Sequence, residues 1–285
     1  MPALPAQHLP AQHLIAQQVG QALAEDIGQC DWTARLIDAD KTGAARVIAR
    51  EDAVICGQAW FDECFRQVDS RCAVQWRVAE GESVAAGSEL CRISGPARAL
   101  LTAERSALNF LQLLSAVATE TRRYVEAAAG HRARILDTRK TVPGLRLAQK
   151  YAVTAGGGHN QRVGLFDGIL IKENHIMAAG GVAEAMRQAL QDLPPGVTLQ
   201  IEVETLAQLE DALENGAKLV LLDNMSLEQM RAAVALSAGR AQLEASGGID
   251  LDSVRAIAAT GVDRISVGKL TKDIRAVDLS MRFTL

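Results

Sequence analysis

Apolar positions along this chain change rhythm near residue 130. Before it, short alternating stretches run over Ala45–Ala49, Val54–Cys56 and Val74–Val78, punctuated by Gly43, Gly57, Gly81, Gly87 and Gly95. A period of two with glycine breaks predicts a small α+β domain with a mainly antiparallel sheet. A long helix is predicted next, over Ala97–Ala129. There Leu100, Leu101, Ala107, Leu108, Leu111, Leu114 and Val117 recur at helical spacing, and Gly130 follows at a C-cap position.

Beyond Gly130, short apolar runs alternate with amphipathic segments. Strands are predicted at Ala133–Asp137, Gly168–Lys172, Thr198–Glu202, Leu219–Asp223, Gln242–Ala245 and Arg264–Val267. Helices are predicted at Val182–Leu190, Leu206–Asn215, Leu227–Leu236 and Leu251–Thr260. Near-continuous apolar strands alternating with helices imply a parallel sheet covered by helices. About six βα units, where a full barrel has eight, make this an open or incomplete α/β barrel.

Polar residues gather where these strands end. The six ends read Asp137-Thr138-Arg139-Lys140, Lys172-Glu173-Asn174-His175, Glu202-Val203-Glu204, Asp223-Asn224, Glu244-Ala245-Ser246-Gly247-Gly248 and Ser266-Val267-Gly268. In a parallel barrel the C-terminal strand ends converge on one mouth, where active sites form. Polar groups there cost stability unless paired or used, so a functional mouth is favoured over a merely well-paired rim.

The residue types suggest the ligand. Ser246-Gly247-Gly248 and Val267-Gly268 each precede a predicted helix, a pattern that lets backbone N–H groups approach a phosphate. Arg139, Lys140, Lys172 and nearby Arg162 suit a polyanion, because guanidinium groups grip carboxylates and phosphates bidentately. Glu202, Glu204 and Asp223 are the anionic members. They suit Mg²⁺ shared with substrate phosphates, or alternatively ion pairs with Lys140 and Lys172.

Composition narrows the field. The 285 residues are 48% hydrophobic, enough for a packed core in one large or two smaller domains. A net charge of −4 argues against a nucleic-acid partner, which calls for a basic excess. Cys30, Cys56, Cys64, Cys72 and Cys91 are odd in number and lack C-x-x-C spacing. They read as reduced side chains, not as a disulfide or zinc framework. Residues 1–19 carry Pro2, Pro5 and Pro10 without a basic-then-apolar leader pattern. No apolar run approaches the roughly 20 residues that span a bilayer. A cytoplasmic protein with no membrane partner is expected.

Ordered motifs along almost the whole chain resemble the quinolinate phosphoribosyltransferase family. They are Glu25-Asp26-Ile27-Gly28 with Asp31-Trp32-Thr33, then Gly95-Pro96-Ala97-Arg98, then Glu104 through Leu111 (E-R-S-A-L-N-F-L). Next come Leu136 through Gly144 (L-D-T-R-K-T-V-P-G), Gln149 through Val153, Gly156-Gly157-Gly158, and Leu170-Ile171-Lys172-Glu173-Asn174-His175. The resemblance implies a small N-terminal α/β sandwich domain (residues 1–115, expected to be joined by the tail 273–285) beside an incomplete barrel (116–272). It implies transfer of phosphoribosyl from phosphoribosyl pyrophosphate to quinolinate with Mg²⁺, giving nicotinate mononucleotide, pyrophosphate and CO₂.

Carried across by motif, Arg105, Arg139 and Arg162 bind the quinolinate carboxylates, and Lys140 and Lys172 contact carboxylate, phosphate or ribose. Glu202 and Asp223 serve the Mg²⁺–pyrophosphate–ribose part, through phosphate and water or directly. Ser246, Gly247, Gly248, Val267 and Gly268 surround the 5′-phosphate. Lys140, Lys172, Glu202 and Asp223 form the catalytic set. The resemblance also implies a homodimer in which Arg105 enters the neighbouring subunit's site.

Two segments depart from the family pattern. G-G-G-x-N-H-R becomes Gly158-His159-Asn160-Gln161-Arg162, so Gln161 stands at the usual histidine position, and His159 is a second candidate for that histidine's place. S-V-G-A-L-T-H becomes Ser266 through Lys272 with Lys269 in place of alanine. Rival readings are a nicotinate-type or molybdate-operon-type relative, separated by whether CO₂ is released, and a non-catalytic phosphate-ligand-binding barrel. The last has no use for Glu202 and Asp223.

Overall fold

The computed structural model describes residues 9–191 and 193–284. Pro2 and Pro5 of the N-terminal reading lie outside them. The chain forms two compact units: one of residues 1–122, 142–157 and 273–285, the other of 123–141 and 158–272. Val142–Gly157 thus groups with the first unit.

The first unit opens with α1 (Gln12–Ile27), β1 (Thr42–Ala49) and β2 (Ala53–Val54). Then come α2 (Gln58–Val68), β3 (Ala73–Trp76), β4 (Ser83–Val84), β5 (Glu89–Pro96) and α3 (Ala97–Ala127). In β1, Ala45, Val47 and Ala49 are buried while their neighbours face outward, as period-two geometry requires. On α2, Trp60, Phe61, Cys64 and Phe65 are buried at helical spacing. Phe61 packs edge-on against Trp76 of β3, ring centres 5.2 Å apart. The helix α1 and the strand β5 were not predicted. In β5 buried Leu90, Cys91 and Ile93 are interleaved with Arg92, Ser94 and glycine, which blurs the pattern.

The second unit begins with β6 (Arg134–Leu136). Then α4 (Arg146–Ala155) returns to the first unit. The barrel half continues with β7 (Gly168–Ile171), α5 (Glu173–Ala179), α6 (Val182–Gln191), β8 (Thr198–Val203), α7 (Leu206–Glu214) and β9 (Leu219–Asp223). It ends with α8 (Leu227–Ser237), β10 (Gln242–Ser246), α9 (Val254–Ala258), β11 (Arg264–Ser266) and α10 (Lys269–Lys272). A last strand, β12 (Leu279–Thr284), pairs antiparallel with β1, so the first sheet has the order β12-β1-β5-β3.

The six strands of the second unit are all parallel, in the order β6-β11-β10-β9-β8-β7. The two outer strands, β6 and β7, do not pair with each other, so the barrel is open. A bridge from His159 to Leu136 extends the β6 edge. The strands are less uniformly apolar than predicted. In β8, Ile201 and Val203 are buried hydrophobics while Gln200 and Glu202 alternate with them. That alternation gives the sheet one apolar face and one that carries chemistry. No helix among the described residues is long and apolar enough to cross a membrane.

Candidate active site

A cavity of about 750 Å³ opens at the C-terminal ends of the six parallel strands, a size suited to small-molecule ligands. Register explains why. Ser246 pairs with Asp223, Ile171 with Ile201, Val203 with Leu222, and Ser266 with Leu136, so the strand ends lie level. Residues of one parity then point inward: Leu170 and Lys172, Glu202, Leu221 and Asp223, Glu244 and Ser246 all line the cavity.

One wall is cationic. Arg139 and Arg162 both line the cavity. Burial, followed by the nearby Arg139 charge, pulls the Arg162 guanidinium below its ordinary pKa. Arg162 is held by an Nη1 hydrogen bond of 2.7 Å to the Gly168 carbonyl. Two guanidinium groups repelling each other in a partly buried wall are an arrangement that an anionic ligand stabilises.

The facing wall is mixed. Lys172 Nζ lies 3.2 Å from Glu202 Oε2. Its backbone N–H donates to His175 Nδ1 at 2.9 Å, fixing the start of α5. Burial pushes the Glu202 carboxyl above its ordinary pKa; Lys172 opposes this, and Asp223 and Glu173 add to it. Glu202 is therefore a carboxylate that gains from further positive charge. Of the two expected readings of the acidic group, ion pairing is the one seen at this side chain. Asp223 lines the same cavity and accepts from Asn224 Nδ2 at 2.8 Å.

The glycine turns close the third side. A side chain at Gly247 would place Cβ 2.1 Å from Asn224 Oδ1, and its φ of +102° is one that side-chain-bearing residues rarely adopt. Asn224 is itself left-handed, with a φ of 52°. At Gly268 an added Cβ would meet Lys140 Cδ at 3.3 Å, so this glycine keeps the lysine's path clear. Lys140 is anchored by its backbone: its N–H donates to Thr138 Oγ1 at 3.0 Å, and its carbonyl accepts from Thr271 Oγ1 at 2.8 Å.

The cavity brings together Arg139, Lys140, Gln161, Arg162, Lys172, Glu202, Asp223, Ser246, Gly247, Gly248 and Gly268. Three other candidates do not line it. Val267 is buried and its N–H already donates to the Leu136 carbonyl at 2.9 Å, so that amide is not offered to a ligand. His159 serves the sheet through its backbone, donating to Ile135 O at 2.8 Å and accepting from Asp137 N–H at 3.1 Å. Gln161, not His159, is the cavity residue of that loop. Arg105 is exposed on α3 in the first unit. Asn224, Glu244, Lys269 and Lys272 line the cavity without having been taken as site residues. Glu244 carried a readable signal: a carboxylate inside a strand that is otherwise apolar on its other face.

The fold is an open parallel α/β barrel whose mouth carries arginines, lysines, carboxylates and glycine turns, the class of site found in enzymes. Residues 117–282 match the C-terminal domain of quinolinate phosphoribosyl transferase, and residues 31–115 match its N-terminal domain. A relative from Bacillus subtilis (strain 168), named probable nicotinate-nucleotide pyrophosphorylase [carboxylating], is 40% identical over 92% of this chain and 90% of its own. The solved nicotinate-nucleotide pyrophosphorylase from Francisella tularensis superposes with a TM-score of 0.95 and 43% identity, covering 99% of this chain and 100% of that one. NadC from Streptococcus pyogenes gives 0.93 and 38%, covering 96% and 98%. The chain belongs to the quinolinate phosphoribosyl transferase family.

Proposed function

We propose that this chain transfers the phosphoribosyl group of phosphoribosyl pyrophosphate to quinolinate with decarboxylation, yielding nicotinate mononucleotide, pyrophosphate and CO₂ for NAD biosynthesis. The observation that supports this best is that Arg139 and Arg162, close enough for the charge of Arg139 to act on Arg162, line one cavity with the Gly247 and Gly268 turns. Two adjacent carboxylates satisfy two mutually repelling guanidinium groups, and a 5′-phosphate suits the glycine turns.

Departure of pyrophosphate leaves positive charge at the anomeric carbon. Glu202 and Asp223 stabilise that charge, while Lys140 and Lys172 balance the leaving group. The pyridine nitrogen attacks, oriented by the arginines. The alkylated ring nitrogen is cationic and stabilises, as an ylide, the carbanion left on the adjacent ring carbon when its carboxylate departs as CO₂. A proton then takes the vacated ring position.

The residues fit Mg²⁺ as cofactor. No group of three or more His, Cys, Asp or Glu forms a metal cage among the described residues. Glu202 and Asp223 line the cavity, and Mg²⁺ takes one or two carboxylates together with substrate phosphates. When bound it would neutralise pyrophosphate charge. The proposal extends to a homodimer in which Arg105 completes the neighbouring site, and to a cytoplasmic setting, which five unpaired thiols suit.

Incubation with quinolinate, phosphoribosyl pyrophosphate and Mg²⁺ tests the reading. Nicotinate mononucleotide and CO₂ in equal amounts are expected. Product from nicotinate with no CO₂ from quinolinate would point to a nicotinate-type enzyme instead, and binding of phosphoribosyl pyrophosphate without turnover to a sensor.

A further inference from the structure

Beneath the arginine wall lies a buried polar cluster that the proposed reaction does not itself use. Glu244 sits in the middle of β10 and is 0% exposed. Gln161 Nε2 approaches its two oxygens at 2.6 and 2.8 Å. Gln200 Nε2 donates to Oε2 at 3.1 Å, and Arg264 Nε forms an ion pair with the same oxygen at 2.9 Å. Gln161 Nε2 also reaches Gln200 Oε1 at 2.9 Å. The register pairs Glu244 with Arg264 and with Leu221, so these contacts lie in one layer of the sheet.

This cluster fixes which way Gln161 faces. An amide turned the other way would set its oxygen against a buried carboxylate, so the NH₂ group faces Glu244 and the oxygen faces back. That oxygen accepts from the Arg162 N–H at 3.1 Å. The same loop is tied at a second buried carboxylate: Asp137 accepts from Gln161 N–H at 2.8 Å and from Asn160 Nδ2 at 2.7 Å. The Gln161 donors are therefore turned toward the protein, away from a ligand. The side chain at this position is a strut between the sheet and Arg162.

We propose that Glu244 is a positioning residue that, through Gln161, sets the backbone of Arg162 and so the placement of a substrate-binding guanidinium. The proposal rests on the reading that Arg162 binds quinolinate. Its prediction is a coupling: Gln161 and Glu244 act as one unit on the quinolinate end of the site and leave the phosphoribosyl end alone.

The test is a double-mutant cycle with Gln161→Leu, Glu244→Gln and the double variant, reading KM for each substrate and kcat separately. Gln161→Leu leaves the Glu244–Arg264 pair and the Gln200 bond in place, so it folds even if Glu244→Gln does not. Each single variant is expected to raise the quinolinate KM about tenfold, the scale of one hydrogen bond to a charged group. KM for phosphoribosyl pyrophosphate should stay within about twofold, and the double variant should be no worse than the worse single one. An unchanged quinolinate KM in Gln161→Leu, equal rises for both substrates, or fully additive effects would each overturn the coupling. Arg162→Ala separates the two layers of inference: if it leaves the quinolinate KM unchanged, the site reading fails, and the positioning role falls with it.

Discussion

Glu63 of the first unit is a buried charge matched on the spot, whereas Arg162 and Glu202, in the cavity of the second, are incompletely matched. The Glu63 carboxylate on α2 is 2% exposed and meets Arg66 Nε at 2.6 Å, Gln67 Nε2 at 2.7 Å and Gln12 Nε2 at 3.1 Å. Its pKa is lowered, first by the Arg66 hydrogen bond. In the cavity of the second unit, Arg162 is held below its ordinary pKa beside another arginine, and Glu202 above its own near another carboxylate. A charge satisfied by neighbours belongs to structure. A charge that the fold leaves unfavourably placed marks where a ligand supplies the missing partner.

Variants on the two sides of this contrast should separate stability from activity. Phe61→Ala, at a position 0% exposed and packed on Phe65 and Trp76, should cost about 3–5 kcal/mol of folding stability. Chemical denaturation measures it, and a loss under about 1 kcal/mol would mean that the first unit is not organised around α2. Arg139→Ala should instead cut kcat/KM for quinolinate about a hundredfold, the scale of removing a charged partner from a buried pair. Its Tm should change far less than that of Phe61→Ala. A marked drop in Tm would show that Arg139 is a structural cation like Arg66.

Gly268→Ala is milder. Its Cβ would press on Lys140 Cδ, and KM for phosphoribosyl pyrophosphate should rise about tenfold, with quinolinate less affected. The smallest effect is expected in the first unit, at Asp62. Burial raises its pKa to about 6 from an unfolded value near 3.8, against a 2.9 Å hydrogen bond from Trp76 Nε1. A raised carboxyl pKa means that the folded state holds the proton more tightly. Its stabilisation is therefore complete below about pH 4 and lost as pH rises through about 6. Asp62→Asn keeps the acceptor for Trp76 and removes the titration. The variant should lose a few degrees less Tm than the parent between pH 4 and 7, and equal losses would remove Asp62 from the pH response.

Much of the second unit was legible in sequence. Each predicted strand there lies within two residues of the observed one, because β-branched and leucine runs between amphipathic helices leave little choice. The first unit was less so. Its strand β5 mixes Arg92, Ser94 and Gly95 with buried residues, and α4 follows Pro143-Gly144, where a turn signal hides a helix start. Local pattern also cannot say that Val142–Gly157 returns to the first unit, since that is decided by contacts distant in sequence. At the site, charged strand ends were readable because a parallel sheet collects them on one side. Backbone allegiance was not readable: Val267 and His159 looked like ligand contacts, yet their main-chain groups serve the sheet. Glu244 went unassigned because its partners, Gln161, Gln200 and Arg264, come from three separate stretches of chain.

The pairing of β12 with β1 has a consequence for how the molecule is made. As the chain leaves the ribosome, β1 emerges with β5 soon after it on one side, but its other neighbour, β12, is translated later than all the other strands described. Every strand of the parallel sheet is synthesised before then. The nascent chain therefore carries an uncovered β1 edge throughout synthesis of the barrel half, an opening for mispairing with other chains. Deleting β12 is therefore expected to bare an edge of the first sheet while leaving all six strands of the parallel sheet in place.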